Sequence, residues 1–412
     1  MAPNDSAETT GEATGTVMVR RKAARYIVPV AVAGVAAATI GLVPALADSG
    51  DPQLPKITAQ ELIERIAASD EQQLSGTVKI STDLGIPSFG GLTDSFVPGA
   101  GPGDSTSSAA PDAKLMELAS GTHTLRVAAD GPDRQRLSIL GEGSEYSLIH
   151  NGDEVWAYDS ASNEVYHAPS GQAGPEGGKN KERTAPEGVP TTPKELAEEA
   201  LAAAGDTTSV TVDGTAQVAG RDAYQLLIKP RQSGSTIGSI RVAVDAENGV
   251  PLKFTLSPSS GGKAAIDAGF TKVDFSKPDT SSFSFTPPKG AKVTEADELK
   301  AEAKKDGAAD KAHKDLSALE DFQGLNVIGE GWSAVAEIDL PGGAGLPAAG
   351  SGDVPAEAQQ FLDALGDKVT GDFGSGTVFK TRLVNALMTD DGKVYIGAVT
   401  KDALVKAADT AK

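Results

Sequence analysis

The sequence predicts an α+β fold built on one antiparallel sheet, and three observations predict it. Apolar residues alternate with polar ones in a long series of short segments between Val78 and Phe285, and Gly, Asn and Asp clusters punctuate them. Helix signals in the same stretch are few and short. The alternation leaves one face of the sheet apolar and the other wet, so the few helices have a flat surface to cover.

The first helix signal is Thr58-Ala59-Gln60-Glu61, a capping box, followed by Leu62, Ile63, Ile66 and Ala67 at helical spacing. It predicts about four turns of amphipathic helix over residues 58–72. Pro193-Lys194-Glu195 opens a second helix, with Leu196, Ala200 and Leu201 on one face and Gly205 as its stop. Strands are expected around Val78/Ile80, Leu125/Val127, Leu137/Ile139 and Tyr146/Leu148. Asn151-Gly152-Asp153 then predicts a tight hairpin into Val155-Trp156-Ala157-Tyr158, because an Asn-Gly pair accepts the positive φ angles of a type I′ turn. The series resumes at Tyr224/Leu226/Ile228, Ile240/Val242/Val244, Leu252/Phe254/Leu256 and Phe270/Lys272/Asp274, and Phe283/Phe285 closes it before Pro287-Pro288.

Two segments interrupt the rhythm. Residues 84–113 are rich in Gly, Pro and Ser yet carry Ile86, Phe89, Leu92 and Phe96, which fits either a lid over the sheet or an insertion packed on itself. Residues 170–190 read as a polar loop. Beyond Pro288, residues 294–319 form a charged, Ala-rich helical linker, acidic early and basic late as the helix dipole favours. Residues 320–412 form a small α+β unit, with a strand through Trp332/Ala334/Ala336/Ile338, a helix near 355–365, and strands through Val378 to Met388 and Lys393 to Val399.

At the other end, Arg20, Arg21, Lys22 and Arg25 close a basic region over 1–25 and precede an uncharged apolar run, 26–47. This is the layout of an export signal, and 22 helical residues also reach about 33 Å, enough to span a bilayer. Ala45-Leu46-Ala47 supplies a small-x-small cleavage pattern, so the expected product is extracytoplasmic, either anchored in the membrane or secreted after cleavage near Ala47. Composition narrows the chemistry. With no cysteine there is no disulfide framework, thiolate nucleophile or cysteine metal site. A net charge of −20 makes nucleic acid a poor partner. His123, His150, His167 and His313 form no paired metal motif, and no nucleophile elbow is present, so neither a metal nor an organic cofactor is expected and the chain reads as a non-enzyme. The apolar sheet face is then either an ordinary filled core or a pocket for an apolar ligand.

Four segments carry a resemblance: residues 146–159 (Tyr146 to Asp159), 218–226 (Val218 to Leu226), 244–253 (Val244 to Lys253) and 283–293 (Phe283 to Val293). In that order they resemble the lipoprotein-carrier (LolA-like) superfamily, which includes RseB-like regulators of envelope stress. The resemblance covers 57–293 and implies a curved, unclosed half-barrel whose helices plug an apolar cavity. It implies a lipid or lipoprotein acyl chain as ligand, or, in the regulatory branch, a membrane protein partner. The inward set it implies is Leu148, Trp156, Tyr158, Tyr224, Leu226, Phe254, Phe283 and Phe285, alternation leaving the sign of each face open. The insertion at 84–113 and the C-terminal unit are additions to the carrier pattern.

The export reading has a direct check. Neutralising Arg20, Arg21, Lys22 and Arg25 together should abolish delivery, and N-terminal sequencing of the exported protein should begin at Asp48 if the signal is cut. Full-length protein found soluble in the cytoplasm would overturn it.

Overall fold

The computed structural model describes residues 52–85, 107–111, 114, 117–169, 201–202, 204–296, 325–339 and 366–411. The expected export segment and helix at 355–365 lie outside the described residues, as does most of the helix expected at 193–204; the expected linker lies outside them from residue 297 on, and its first residues, Thr294 and Glu295, belong to a strand rather than a helix. Among the described residues no helix is long and apolar enough to cross a membrane.

Two sheets organise the chain. The first has twelve strands in the order β12-β6-β5-β4-β3-β2-β1-β11-β10-β9-β8-β7. Its first half comprises β1 (Gln73–Thr82), β2 (Gly121–Asp130), β3 (Arg134–Leu140), β4 (Glu145–Asn151), β5 (Glu154–Asp159) and β6 (Glu164–Pro169). The second comprises β7 (Thr208–Val218), β8 (Arg221–Pro230), β9 (Ile237–Asp245), β10 (Pro251–Pro258) and β11 (Ile266–Asp274), and β12 (Lys292–Glu295) completes the edge. Each half is a meander of hairpins, and β1 pairing with β11 welds them. The sheet curls strongly enough that β7 contacts β11 across the three strands between them, yet β7 and β12 do not pair, so it stays unclosed. This is the half-barrel that the four sequence segments implied.

The turn chemistry explains the hairpins. Gly152 sits at φ 63° between β4 and β5, as the Asn-Gly pair required. At the β9–β10 turn the Asp245 carboxylate is fully buried, accepts from the backbone of Glu247 (2.8 Å) and Asn248 (3.1 Å), and is gripped by the Arg221 guanidinium. Burial alone would raise the Asp245 pKa, but Arg221 and these amides outweigh it and hold it below the usual range.

Helix α1 (Ala59–Ala67) starts at the predicted capping box: Glu61 N donates to Thr58 Oγ1 at 3.1 Å and Thr58 N to Glu61 Oε2 at 2.7 Å. It is shorter than the four turns expected. Ala68 caps it and the polar Ser69-Asp70 leads into β1. Phe283 and Phe285 also depart from expectation. They belong to no strand. Thr280–Phe283 is a 3-10 turn capped by Asp279, and the sheet ends instead at β12, which runs parallel to β6.

The second sheet has six strands in the order β13-β14-β18-β17-β16-β15. They are β13 (Leu325–Ile328), β14 (Val335–Asp339), β15 (Gly366–Gly371), β16 (Gly374–Phe379), β17 (Asn385–Thr389) and β18 (Lys393–Gly397). Helix α2 (Lys401–Thr410), N-capped by Thr400, packs Leu404, Ala407 and Ala408 against Val378, Leu387 and Tyr395. Trp332, expected inside a strand, instead lies in a 3-10 turn (Gly331–Ser333) ahead of β14.

The two sheets interlock. Leu383, from the β16–β17 loop, is buried in the same apolar cluster as Leu62, Tyr224, Leu226 and Phe254. Beside it Arg382 reaches the Asp83 carboxylate at 2.7 Å and the Lys263 carbonyl, while its own N–H donates to the Leu84 carbonyl at 2.8 Å. Trp332 Nε1 donates to Thr208 Oγ1 at 2.7 Å, and the β8–β9 loop bonds the chain ahead of α2 through Thr236 N to the Ala398 carbonyl (2.9 Å) and Thr400 N to the Gly234 carbonyl (2.7 Å). Removing a buried Leu leaves a cavity that costs about 2–5 kcal/mol. Leu383→Ala should therefore lower the unfolding free energy by that amount while both sheets still unfold in one transition. Calorimetry resolving two independent transitions, the first sheet's unmoved, would refute the interlock.

Candidate functional site

Cross-strand partners in an antiparallel ladder share a face, so the registers assign the faces of the sheet. One row runs Ile80, Ala268, Phe254, Val242, Leu226, Val212 across β1, β11, β10, β9, β8 and β7. Another runs Gly76, Val127, Leu137, Leu148, Ala157, Tyr166 across β1 to β6. Ile80 and Gly76 lie an even number of residues apart on β1, so both rows belong to one face. Gly76 is needed there, since a Cβ would meet the Phe270 ring at 2.8 Å and the Lys272 carbonyl at 2.5 Å. We call this the inner face because α1 lies on it: Leu62 packs among Tyr224, Leu226, Val242 and Phe254.

The inner face is covered unevenly. Over β8–β10 the cover is close, burying Tyr224, Leu226, Val242, Val244 and Phe254, while Val210 and Val212 on β7 and Leu256 on β10 are half-buried at its margin. The stretch ahead of α1 is anchored by Tyr224 Oη donating to the Pro55 carbonyl (3.0 Å) and Thr215 Oγ1 to that of Pro52 (2.8 Å), and Arg65 lies over the Tyr224 ring at 5.5 Å. Leu383 and Trp332 fill the rest of the cluster. Over β2–β6 the cover is partial. Val127, Leu137, Leu148 and Tyr166 are only half-buried, although Val78, Leu125 and Ala157 beside them are wholly so.

The rim of this second region is held by the far end of the 84–113 insertion. Tyr146 Oη donates to the Ala109 carbonyl at 3.1 Å, and Ser108 N and Oγ donate to Glu164 at 2.9 and 2.8 Å. Lys292 reaches the same carboxylate at 3.0 Å, and these donors, Lys292 foremost, pull the Glu164 pKa down to about 2. The expected lid residues Ile86, Phe89, Leu92 and Phe96 lie outside the described residues.

The eight residues expected to face inward divide between the two sides. Leu148, Tyr224, Leu226 and Phe254 are inner. Trp156 and Tyr158 lie opposite Ile149 and Ser147 on the outer face. Phe285 leans on both rings with centroids 5.7 Å away, and Phe283 is buried in the turn that crosses β3 and β4 there, where Arg136 Nη1 donates to the Ser282 carbonyl at 3.3 Å. The chain after β11 is thus an outer strap, and its aromatic residues clamp it to the sheet. The reason is local: β5 is apolar on both sides, because Val155 and Ala157 already fill the inner positions.

At the end of the strap, β12 is latched by His167. Its ring stacks on Trp156 at 3.8 Å, Nδ1 meets Glu295 at 2.7 Å, and Nε2 meets Glu154. Burial disfavours the imidazolium, but the two carboxylates prevail and raise the His167 pKa above 6.5. In the sequence this histidine reads as an ordinary strand residue, and only the β5–β6–β12 register reveals its partners. Among the described residues no three His, Asp or Glu side chains converge as a metal site.

No family model matches the chain, and no curated protein does. Among solved structures it is similar to an uncharacterized conserved protein from Thermus thermophilus, at 15% identity over 57% of this chain and 98% of that one, with a TM-score of 0.30. It is similar to the complex of Pseudomonas aeruginosa MucA/MucB, at 13% identity over 85% and 96%, with a TM-score of 0.36. A LolA superfamily protein from Nitrosomonas europaea is 10% identical over 56% of this chain and 99% of that one, with a TM-score of 0.21.

The latch has a defined pH signature. A group whose pKa is raised on folding stabilises the fold fully below its unfolded value, near 6.5, and loses that contribution as pH rises through the folded value. Thermal stability should therefore fall as pH is raised from about 6 through the folded pKa, and His167→Gln should remove that part of the slope. An unchanged slope in the variant would show the latch to be inert.

Proposed function

We propose that the protein binds a lipid or lipoprotein acyl chain on the extracytoplasmic side of the membrane, without catalysis, and that the chain lies along the inner face of β2–β6. The observation that carries this is the uneven cover: the centre of one half of the apolar face, Tyr224, Leu226, Val242 and Phe254, is buried under α1 and Leu383, while Val127, Leu137, Leu148 and Tyr166, a row across the other half, remain accessible. The resemblance of the four sequence segments to the lipoprotein-carrier superfamily supports the same ligand class. Leu148 keeps the role expected of it. Tyr224, Leu226 and Phe254 become the packed wall beside the site, and Trp156, Tyr158, Phe283 and Phe285 hold the strap on the far side.

Burying about ten methylenes at roughly 0.8 kcal/mol each gives about 8 kcal/mol before ordering costs, so an affinity no tighter than micromolar is expected. Leu137→Asp and Leu148→Asp should each weaken uptake of a fluorescent fatty acid at least tenfold while leaving the protein folded, because these side chains retain access to water. Lys253→Ala, on the outer face beside Asp267, should bind as wild type does. Leu226→Asp is expected to unfold the protein, since a lone buried carboxylate costs several kcal/mol against a total stability of about 5–15. Failure of the folded, delipidated wild type to take up the probe would reject this reading in favour of a regulatory protein that contacts a membrane partner.

A further inference from the structure

The outer face of the sheet, remote from the inner face by the thickness of the backbone, carries an open cavity of about 460 Å³ lined in part by Thr77, Arg126, Arg136, Glu145, Lys272 and Asp274. Its floor is built by register. Thr77 of β1 is flanked by Lys272 on β11 and Arg126 on β2, and Arg126 is partnered in turn by Ser138 on β3. Neighbouring strands lie about 4.8 Å apart, so the bases of Lys272 and Arg126 are about 10 Å apart, and both side chains are long enough to converge over Thr77. Arg136 stands diagonally from Arg126, two residues before Ser138, and the strap forms a wall through Ser282.

The charges in this cavity are only partly balanced internally, since three cations, Arg126, Arg136 and Lys272, share it with two carboxylates, Glu145 and Asp274. Arg136 is engaged by Glu145 (3.2 Å), Ser147 (3.1 Å) and the Ser282 carbonyl, so Glu145 neutralises it. Asp274 accepts the Ser276 amide at 2.8 Å and offsets part of the charge of Lys272, two residues away on the same strand, which leaves Arg126 as the cation without a counter-charge. Among the described residues no carboxylate comes within 4 Å of Arg126 or Lys272, which are both exposed. Isolated cations on a wet sheet face are commonplace and need no ligand. Here, however, a guanidinium and an ammonium overlook a hollow of ligand size, on either side of the Thr77 hydroxyl, on a chain whose net charge is −20.

We propose that this cavity binds a phosphoryl group. A tetrahedral oxyanion can take the Arg126 fork, the Lys272 point charge and the Thr77 hydroxyl between them at once. The group comes either from a small soluble phosphate ester or from a phospholipid headgroup presented at the membrane surface. The inner-face ligand does not supply it, because the sheet lies between the two.

The test uses the full chain and two probes: inorganic pyrophosphate by isothermal titration calorimetry, and phosphatidylglycerol vesicles by co-sedimentation against phosphatidylcholine vesicles. Arg126→Gln and Lys272→Gln should each weaken binding about tenfold. Arg241→Gln, which removes an outer-face cation paired with Asp213 elsewhere on the sheet, should not. Both variants alter exposed side chains, so melting temperature and fatty-acid uptake should stay at wild-type values, which separates this site from the acyl site. Pyrophosphate binding that depends on Arg126 and Lys272 assigns a soluble ester, and vesicle binding with the same dependence and no pyrophosphate signal assigns a headgroup. The proposal is overturned if wild type binds neither probe above the phosphatidylcholine background, or if the two variants bind as Arg241→Gln does.

Discussion

An open sheet that puts most of the apolar side chains of eleven antiparallel strands on one side cannot leave that side to water. At about 25 cal/mol per Å², each bare Leu or Phe forfeits about 1.5–3 kcal/mol, and a closed barrel is the usual way to hide them all. This sheet curls without closing. Its inner face must therefore be covered by something other than itself, and much of the remaining architecture follows from how that cover is supplied. The short helix α1 is wide enough for Tyr224, Leu226, Val242 and Phe254 but not for the whole span. The second sheet completes this half, and that is why a single leucine from a loop far beyond Phe254 in the chain lies in the same cluster.

The interlock has consequences for what the C-terminal sheet is. A tethered module would touch the half-barrel through a small polar surface and move independently. Here Arg382 is bound to both the Asp83 carboxylate and main-chain oxygens, Trp332 and Thr236 add further ties, and Leu383 is withdrawn from water. Asp83 and Leu84 stand where the 84–113 insertion begins its course, so the second sheet grips the root of that segment.

Much of the half-barrel was legible because its information is local. The capping box at Thr58 and Glu61, the Asn151-Gly152 turn and the period-two runs each specify their own geometry within a few residues. The face assignments were not legible in β5, because period two tells which residues share a side but not which side is inner, and Val155-Trp156-Ala157-Tyr158 is apolar on both. Phe283 and Phe285 imitate strand alternation while belonging to a 3-10 turn and the extended chain after it; spacing alone cannot distinguish the two. Helix α2 was missed although Thr400 and Asp402 mark its start and Leu404, Ala407 and Ala408 share a face, signals faint beside the Ala-rich tail. The outer cavity left no trace, since Arg126, Arg136 and Lys272 become neighbours only through the pairing of β1 with β11 and of β2 with both β1 and β3.

That pairing of β1 with β11 is where the two faces meet in one structural cause. The register shift between Thr77 and Val78 lets Phe270 sit across from Val78 and press over Gly76 on the inner side, while Thr77 faces Lys272 on the outer side. The bulge thus tightens apolar packing beneath and places a cation above in a single step. A substitution at Gly76 that pushed Phe270 away would disturb both, because the obstructing atoms are the ring on one strand and the Lys272 carbonyl on the same strand. The weld between the two meanders is in this way also the place where the apolar and the cationic surfaces of the sheet are mechanically joined, each reading the position of the same strand from its own side.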